Sequence, residues 1–310
     1  MAFFLNIFSI FLLMSAGWVL RRRGVVDDAF TRRLSVILVN VFYPCLIVNA
    51  LLSRFTLETL LANWLLPVCV FGIKLAGWVV GAVWLRLWHG GEAATRRTFH
   101  FACAVNNYSF LPIMLARPLW GDTAVGLIAF GALGAEVFVW TLGLRALSGR
   151  VKLRQLLSTS LIALFGAGLL LLLRHVFSIE TLPAPYDTVG SMLLSTCKTA
   201  GEATIPVSAI ICGARIGGVR IRGSLTPLAW TFSGLRLLLI PAVCVGILCV
   251  LPLEPAARNV LMLVAVQPAA MASVSMSEVY NGDPNFAAVV VFLSHALCLA
   301  TIPLWMMLIT

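Results

Sequence analysis

Ten apolar runs, each about as long as a membrane-crossing helix, take up almost all of this 310-residue chain. A helical span needs about 20 mostly apolar residues. Runs of that kind fall at 2–20, 34–53, 62–85, 99–116, 123–144, 157–177, 189–213, 226–250, 259–279 and 286–308. The connections between them are too short to hold a soluble domain. The composition agrees: 61% of residues are hydrophobic and 11% charged, against roughly 25% charged in a soluble domain. A soluble enzyme, a disordered chain and a disulfide scaffold are all excluded. The expected fold class is an all-α polytopic protein whose main partner is the lipid bilayer.

The net charge of +10 invites a nucleic-acid reading, but the positions of the charges oppose it. Segments 21–33, 86–98, 145–155, 214–224 and 280–285 lie on one side of the expected membrane and carry 15 Lys or Arg. The opposite loops carry four, Arg54, Arg117, Arg174 and Arg258. By the positive-inside rule the first set is cytoplasmic. Ten spans then put both termini outside a plasma (inner) membrane. The first run lacks a basic n-region and a small-residue cleavage site, so it reads as a retained helix. The eight cysteines all fall in apolar runs without a C-x-x-C pair. They read as buried small hydrophobes, with no metal or cofactor implied.

Five spans end near residue 145 and five begin near 157. Odd numbers insert the two halves, 1–145 and 157–310, in opposite directions, the inverted-repeat plan of many secondary transporters. Specific positions pair between them. Pro44 and Pro206 are 162 apart, as are Lys74 and Arg236, and Asn40 and Glu202. Glu136 and His295 are 159 apart. Each proline frees the carbonyl four residues earlier, that of Asn40 or Glu202. In lipid such groups require a partner or a wet cavity.

Spans 4 and 9 look interrupted. Span 4 places Asn106 and Asn107 just before Ser109 and Pro112, and span 9 has Gln267-Pro268 at its centre followed by small residues. Equivalent interruptions in both halves mark a transporter's binding site. Asn106, Asn107, Ser109 and Gln267 are therefore the candidate substrate ligands, since amides both donate and accept hydrogen bonds without a charge to desolvate. Pro112 and Pro268 are the candidate breaks of the crossover.

At these residues the chain resembles the auxin efflux carrier family of PIN-like and bacterial permeases. The likeness rests on Asn107-Tyr108-Ser109-Phe110-Leu111-Pro112 and Leu119-Trp120-Gly121-Asp122 in the first half. In the second it rests on Gln267-Pro268-Ala269-Ala270, Tyr280-Asn281-Gly282-Asp283, Ser294 and Thr301-Ile302-Pro303-Leu304. The family's crossover proline falls at Met114 here, with Pro112 two residues earlier. Either Asn106 or Asn107 is then the ligand-facing amide. The resemblance implies two inverted five-helix repeats in a sodium/proton-antiporter-like or bile-acid-transporter-like fold, with spans 4 and 9 crossing as broken helices. It implies a scaffold of spans 1, 2, 6 and 7 that forms a homodimer, and a moving domain of spans 3–5 and 8–10. It also implies a small organic anion, such as auxin or a malonate-like carboxylate, carried by an elevator-like movement.

Ionisable groups at mid-membrane are functional candidates because they are costly. Lys74 and Arg236 either compensate helix ends at the crossover or hold an anion. Lys198 and Glu202 share one face of span 7, where Lys198 could attract a carboxylate and Glu202 carry a proton. Glu136 and His295 are the other candidates for coupling to H⁺ or Na⁺. No H-E-x-x-H, G-x-S-x-G or Walker A motif occurs, so enzyme chemistry has no support. A channel, a receptor and a cation/proton antiporter of similar fold are the rival functions. Amides rather than carboxylates at the crossover tilt the reading towards an anion.

Overall fold

A computed structural model describes residues 2–148, 159–177, 186–218 and 225–309. The basic stretches at 149–155 and 219–224, used above to orient the chain, lie outside the described residues. The first half runs through α1 (Ala2–Arg22), α2 (Asp28–Ile37), α3 (Tyr43–Arg54), α4 (Leu57–Ala62), α5 (Leu65–Leu87), α6 (Ala93–Ala104), α7 (Phe110–Phe138) and α8 (Leu144–Ser148). The second runs through α9 (Thr159–Val176), α10 (Tyr186–Glu202), α11 (Thr204–Gly218), α12 (Pro227–Gly234), α13 (Ile240–Val250), α14 (Pro255–Ala265), α15 (Ala272–Val279) and α16 (Pro284–Ile309). Among the described residues five helical stretches are long and apolar enough to cross a membrane: Asp28–Ser53, Leu65–Leu87, Thr123–Ser148, Pro227–Val250 and Pro284–Ile309.

Local chemistry sets the ends and the breaks. Asp27 caps α2 by accepting from the Phe30 N–H at 2.6 Å, and Asp283 caps α16 through the Phe286 N–H at 2.9 Å. Both carboxylates satisfy donors that a helix start leaves open. Among the described residues three helices pass through a π-helical turn, at Leu38–Phe42, Val139–Gly143 and Leu235–Leu239. In the first and third a proline, Pro44 or Pro241, follows two residues later. A proline has no N–H for the regular ladder, and the wider turn absorbs the mismatch: the Tyr43 N–H bonds the Leu38 carbonyl and the Ile240 N–H that of Leu235. Near Pro206 the helix breaks instead, between α10 and α11 at Ala203.

Gly121 separates two helical pieces within α7. Its φ of 72° and ψ of −167° belong to a region essentially open to glycine alone. The piece before it completes interrupted span 4, and the piece after it is span 5. Glycine also sets how closely helices approach. A Cβ on Gly213 of α11 would run into the carbonyl of Met14 of α1, and one on Gly17 into that of Ile210. α1 and α11 therefore pack backbone to backbone.

The helices pack in two groups. α1 lies on α11, and α3 lies on α9 and α10. Separately, α5 packs on α6, α7, α13 and α14, while α16 packs on α6, α12 and α15. α7 reaches both groups through α1, α3 and α9, and α16 also touches α11.

Candidate functional site

Two helices stop in mid-protein and face one another. α6 ends at Ala104 and α7 begins at Phe110; α14 ends at Ala265 and α15 begins at Ala272. The intervening backbones are buried and would leave polar groups unpaired. They satisfy each other instead, as an antiparallel bridge between Asn106 and Ala269. The Asn107 N–H donates to the Pro268 carbonyl at 2.8 Å, and the Ala270 N–H donates to the Val105 carbonyl at 3.0 Å. Pro268 has no N–H and serves here only as an acceptor. Pro112 sits in the first turn of α7, where its missing N–H costs nothing.

Arg236 and Lys74 close the crossing from behind, and both are fully buried. The Arg236 guanidinium donates to the carbonyls of Cys103 at 3.1 Å, Ala265 at 2.7 Å and Gln267 at 3.1 Å. Two of those carbonyls belong to the C-terminal turns of α6 and α14, the negative ends of the helix dipoles. One cation thus compensates both stopped helices. Lys74 donates to Asn106 Oδ1 at 2.9 Å and stands 4.1 Å from the Tyr108 ring centroid, a cation–π contact. Asn106 Nδ2 in turn donates to the Val264 carbonyl. Asn106 is therefore committed at both ends of its amide.

Asn107 is held more loosely. Its Oδ1 accepts from the Leu111 N–H at 3.4 Å, and its Nδ2 lies 3.5 Å from His295 Nε2. His295 Nδ1 is 2.8 Å from the Val291 carbonyl, which makes Nδ1 the protonated nitrogen and leaves Nε2 as an acceptor. Ser294 Oγ accepts from the Ala269 N–H at 3.3 Å.

In front of the crossing lies a cavity of about 150 Å³. The broken segments contribute Asn106, Asn107, Tyr108 and Ser109 on one side and Ala270, Met271 and Ala272 on the other. Ser109 and Met271 are the N-cap residues of α7 and α15, so both helices turn their positive ends to the cavity. Glu136 and Trp140 form a second wall, Ser35, Leu38 and Tyr43 a third, and Ser208, Ile211, Cys212 and Arg215 of α11 a fourth. The polar groups are linked. Tyr43 Oη is 3.0 Å from Ser109 Oγ, and the Tyr108 hydroxyl donates to Glu136 Oε1 at 2.7 Å. Trp140 Nε1 donates to Glu136 Oε2 at 2.8 Å.

The sequence candidates divide on this geometry. Asn106, Asn107, Ser109 and Glu136 reach the cavity wall. Lys74, Arg236, Pro268 and His295 stand behind it, holding the crossing. Gln267 is also behind it: its Nε2 donates to the Leu263 carbonyl at 2.9 Å, and its buried Oε1 has no hydrogen-bond partner among the described residues. Lys198 and Glu202 face out of the protein from α10 and are not part of the wall. Pro44 and Pro206 shape the neighbouring helices at a distance.

Sequence reasoning missed Tyr43, Trp140, Ser208 and Arg215. Arg215 was expected in a cytoplasmic loop as one of the charges that set topology. It lies instead inside α11, only 7% exposed, on the cavity wall. A charge near the end of an apolar run looks the same in either position.

The profile of the membrane transport protein family matches residues 2–161 and 153–306. A relative from the archaeon Methanothermobacter thermautotrophicus, described as an uncharacterized transporter, is 26% identical over 307 residues, covering 97% of this chain and 96% of its own. The chain belongs to the membrane transport protein family, the auxin efflux carrier family that its crossover motifs resemble. It is an integral membrane protein of a transporter family.

Proposed function

We propose that this membrane transport protein is a secondary transporter of a small organic anion, bound in the cavity at the crossing. One observation carries the reading. The negative ends of the stopped helices are compensated by Arg236, while the N-caps of α7 and α15 line the cavity. The two helix starts turn their positive dipole ends to the cavity, and neutral donors on Asn107 and Ser109 stand beside them. This is how helix starts bind carboxylates and phosphates.

In this reading the ten spans form two inverted five-helix repeats, residues 1–145 and 157–310, with both termini outside the inner membrane. The helix packing supports a scaffold of spans 1, 2, 6 and 7 and a moving domain of spans 3–5 and 8–10. The cavity takes walls from both: Tyr43 and Arg215 from the scaffold, the crossing and Glu136 from the other side. A site on such a seam suits elevator-like alternating access. Dimerisation through the scaffold and coupling to H⁺ or Na⁺ belong to the same proposal.

Cation/proton exchange is a second reading, favoured by Glu136 on the wall. Both of its oxygens are already taken by Tyr108 and Trp140, which weighs against it as an open cation ligand. Counterflow in proteoliposomes tests the proposal. Vesicles preloaded with an unlabelled carboxylate should accumulate the labelled one transiently and saturably. Linear, non-saturating flux would indicate a channel, and sodium or proton exchange without carboxylate flux would favour the antiporter.

A further inference from the structure

A second pocket, of about 410 Å³, opens toward the start of α6, away from the crossing. It shares no lining residue with the cavity described above. Ala93, Arg96, Arg97 and His100 line it from α6, and their spacing puts them on one helix face. α8 adds Ala146, and the turn after α5 adds Gly91. Gly91 has a φ of 81°, and a Cβ there would meet the Trp88 ring, so the turn folds directly over the indole. α5 is one of the helices long and apolar enough to cross a membrane, and the pocket sits at its end. Trp88 follows that end, at the level where indole rings mark the membrane–water interface. Arg96 is fixed there. Its Nη1 donates to the carbonyls of Trp88 at 2.6 Å and Gly90 at 3.2 Å, and its Nη2 to that of Leu85 at 2.8 Å. These bonds hold the guanidinium beside Leu85 and Gly91 of the pocket wall. Arg97 donates through Nη2 to the Asn281 carbonyl at 2.7 Å, which leaves its Nε and Nη1 without a protein acceptor among the described residues. Among those residues neither guanidinium has a carboxylate partner. Glu92 is exposed and pairs with neither. Asp283 is taken by the Thr95 hydroxyl at 2.7 Å and the Phe286 N–H at 2.9 Å.

We infer that this pocket binds the phosphate of an anionic phospholipid at the membrane surface. Two guanidinium charges without a carboxylate call for a negative group, and their N–H donors match phosphate oxygens. His100 adds a different contact. Its Nε2 lies 2.9 Å from the Trp78 carbonyl, so Nε2 carries the proton and Nδ1 is left as an acceptor. An acceptor beside a phosphate site suits a headgroup hydroxyl, and phosphatidylglycerol carries both groups. The level of the pocket favours lipid over a dissolved anion, because headgroup phosphates lie where a spanning helix ends. Basic pockets between spanning helices hold acidic headgroups in this way. In the orientation given by the basic loops this is the cytoplasmic side, whose leaflet is the negatively charged one. α6 carries the pocket near its start and the crossing at its end. A bound headgroup would hold that arm of the crossing at a set depth below the surface. The pocket is separate from the cavity at the crossing, so lipid binding does not depend on which solute is carried.

The test is lipid titration of the purified, delipidated full-length protein in detergent, read by native mass spectrometry. Dioleoylphosphatidylglycerol is compared with dioleoylphosphatidylcholine, which has the same chains and no net charge, and with inorganic phosphate. Wild type should bind phosphatidylglycerol on the order of tenfold tighter than phosphatidylcholine. Arg97→Gln should raise the phosphatidylglycerol Kd on the order of tenfold, the loss of one charge-assisted contact, and Arg97→Lys should recover part of that loss. Arg86→Gln removes an exposed basic residue of the same surface that does not line the pocket. It should change Kd by less than about threefold at physiological ionic strength, where separated surface charges are screened. Equal losses in Arg86→Gln and Arg97→Gln would overturn the pocket in favour of diffuse surface charge, and a Kd unchanged in Arg97→Gln would overturn it outright. Equal affinity for the two lipids would overturn recognition of an anionic headgroup. Inorganic phosphate bound in wild type and lost in Arg97→Gln, with no phosphatidylglycerol bound, would overturn the lipid as occupant. Where Arg97→Gln does not fold, Ala93→Glu decides. It sets a carboxylate on the pocket wall in the first turn of α6, where the helix dipole favours one. Weaker phosphatidylglycerol binding then supports the pocket, and unchanged binding overturns it.

Discussion

The guanidinium of Arg236 donates to the carbonyl oxygen of Cys103 across 3.1 Å. This bond ties a π-helical turn of the chain's second half to the end of a stopped helix in its first. With the bonds to Ala265 and Gln267, one side chain holds both arms of the crossing. Arg236→Met would leave three buried carbonyls without their donor. The expected cost is roughly 2–5 kcal/mol, taking each bond between typical membrane and soluble values. Thermal unfolding in detergent should show the loss, and Arg236→Lys should fall between the two because an ammonium cannot span all three acceptors.

Asn107 and Gln267 look alike in sequence and should behave differently. Asn107→Ala removes a loosely held amide from the cavity wall. Carboxylate Kd should rise about tenfold, the size of one or two hydrogen bonds to a charged group, with thermal stability near wild type. Gln267→Ala changes a side chain behind the wall, so Kd should stay within about twofold. Titrations of the two variants side by side check this, and equal losses in both would contradict the geometry.

Glu136 presents the only carboxylate on the cavity wall among the described residues. For an anionic substrate it is a like charge, so Glu136→Gln should tighten carboxylate binding several-fold, from about 1 kcal/mol of removed repulsion. A cation site would do the opposite and lose its ligand. Binding titrations with a carboxylate and with Na⁺ separate the two cases.

Close helix contacts make a structural prediction. A Cβ on Gly77 of α5 would run into the Cys103 carbonyl, the same oxygen that Arg236 binds. Gly77→Val should destabilise the protein by about 1–3 kcal/mol through overpacking and should loosen the crossing. Lower thermal stability together with weaker carboxylate binding is the expected pair of results. Gly72→Val on the same helix meets open space and is the control.

Much of the site was legible because membrane helices cannot hide an interruption. Asn106, Asn107 and Pro268 announced the two breaks, and the breaks are where the backbones pair. The pairing of Lys74 with Arg236 also pointed to one place, since both lie behind the crossing. Pattern alone could not say which amide would be spent. Asn106 is taken up by Lys74 and the Val264 carbonyl, contacts that exist only once α5 and α14 are packed. Lys198 and Glu202 share a helix face as expected, but that face turns outward, and helical spacing carries no information on which neighbour a face meets. Arg215 reads as a topology-marking charge at the end of an apolar run, and its place in the last turn of α11 with a buried side chain is not visible in that pattern.

Binding of a labelled carboxylate to the purified protein, in wild type and Asn107→Ala at constant pH and Na⁺, decides whether the crossing is an anion site. Saturable binding in wild type, weakened about tenfold by Asn107→Ala while the melting temperature holds, is the expected result. Saturable binding that Asn107→Ala leaves unchanged would place the anion elsewhere, and binding of Na⁺ with no carboxylate bound would contradict the anion site altogether.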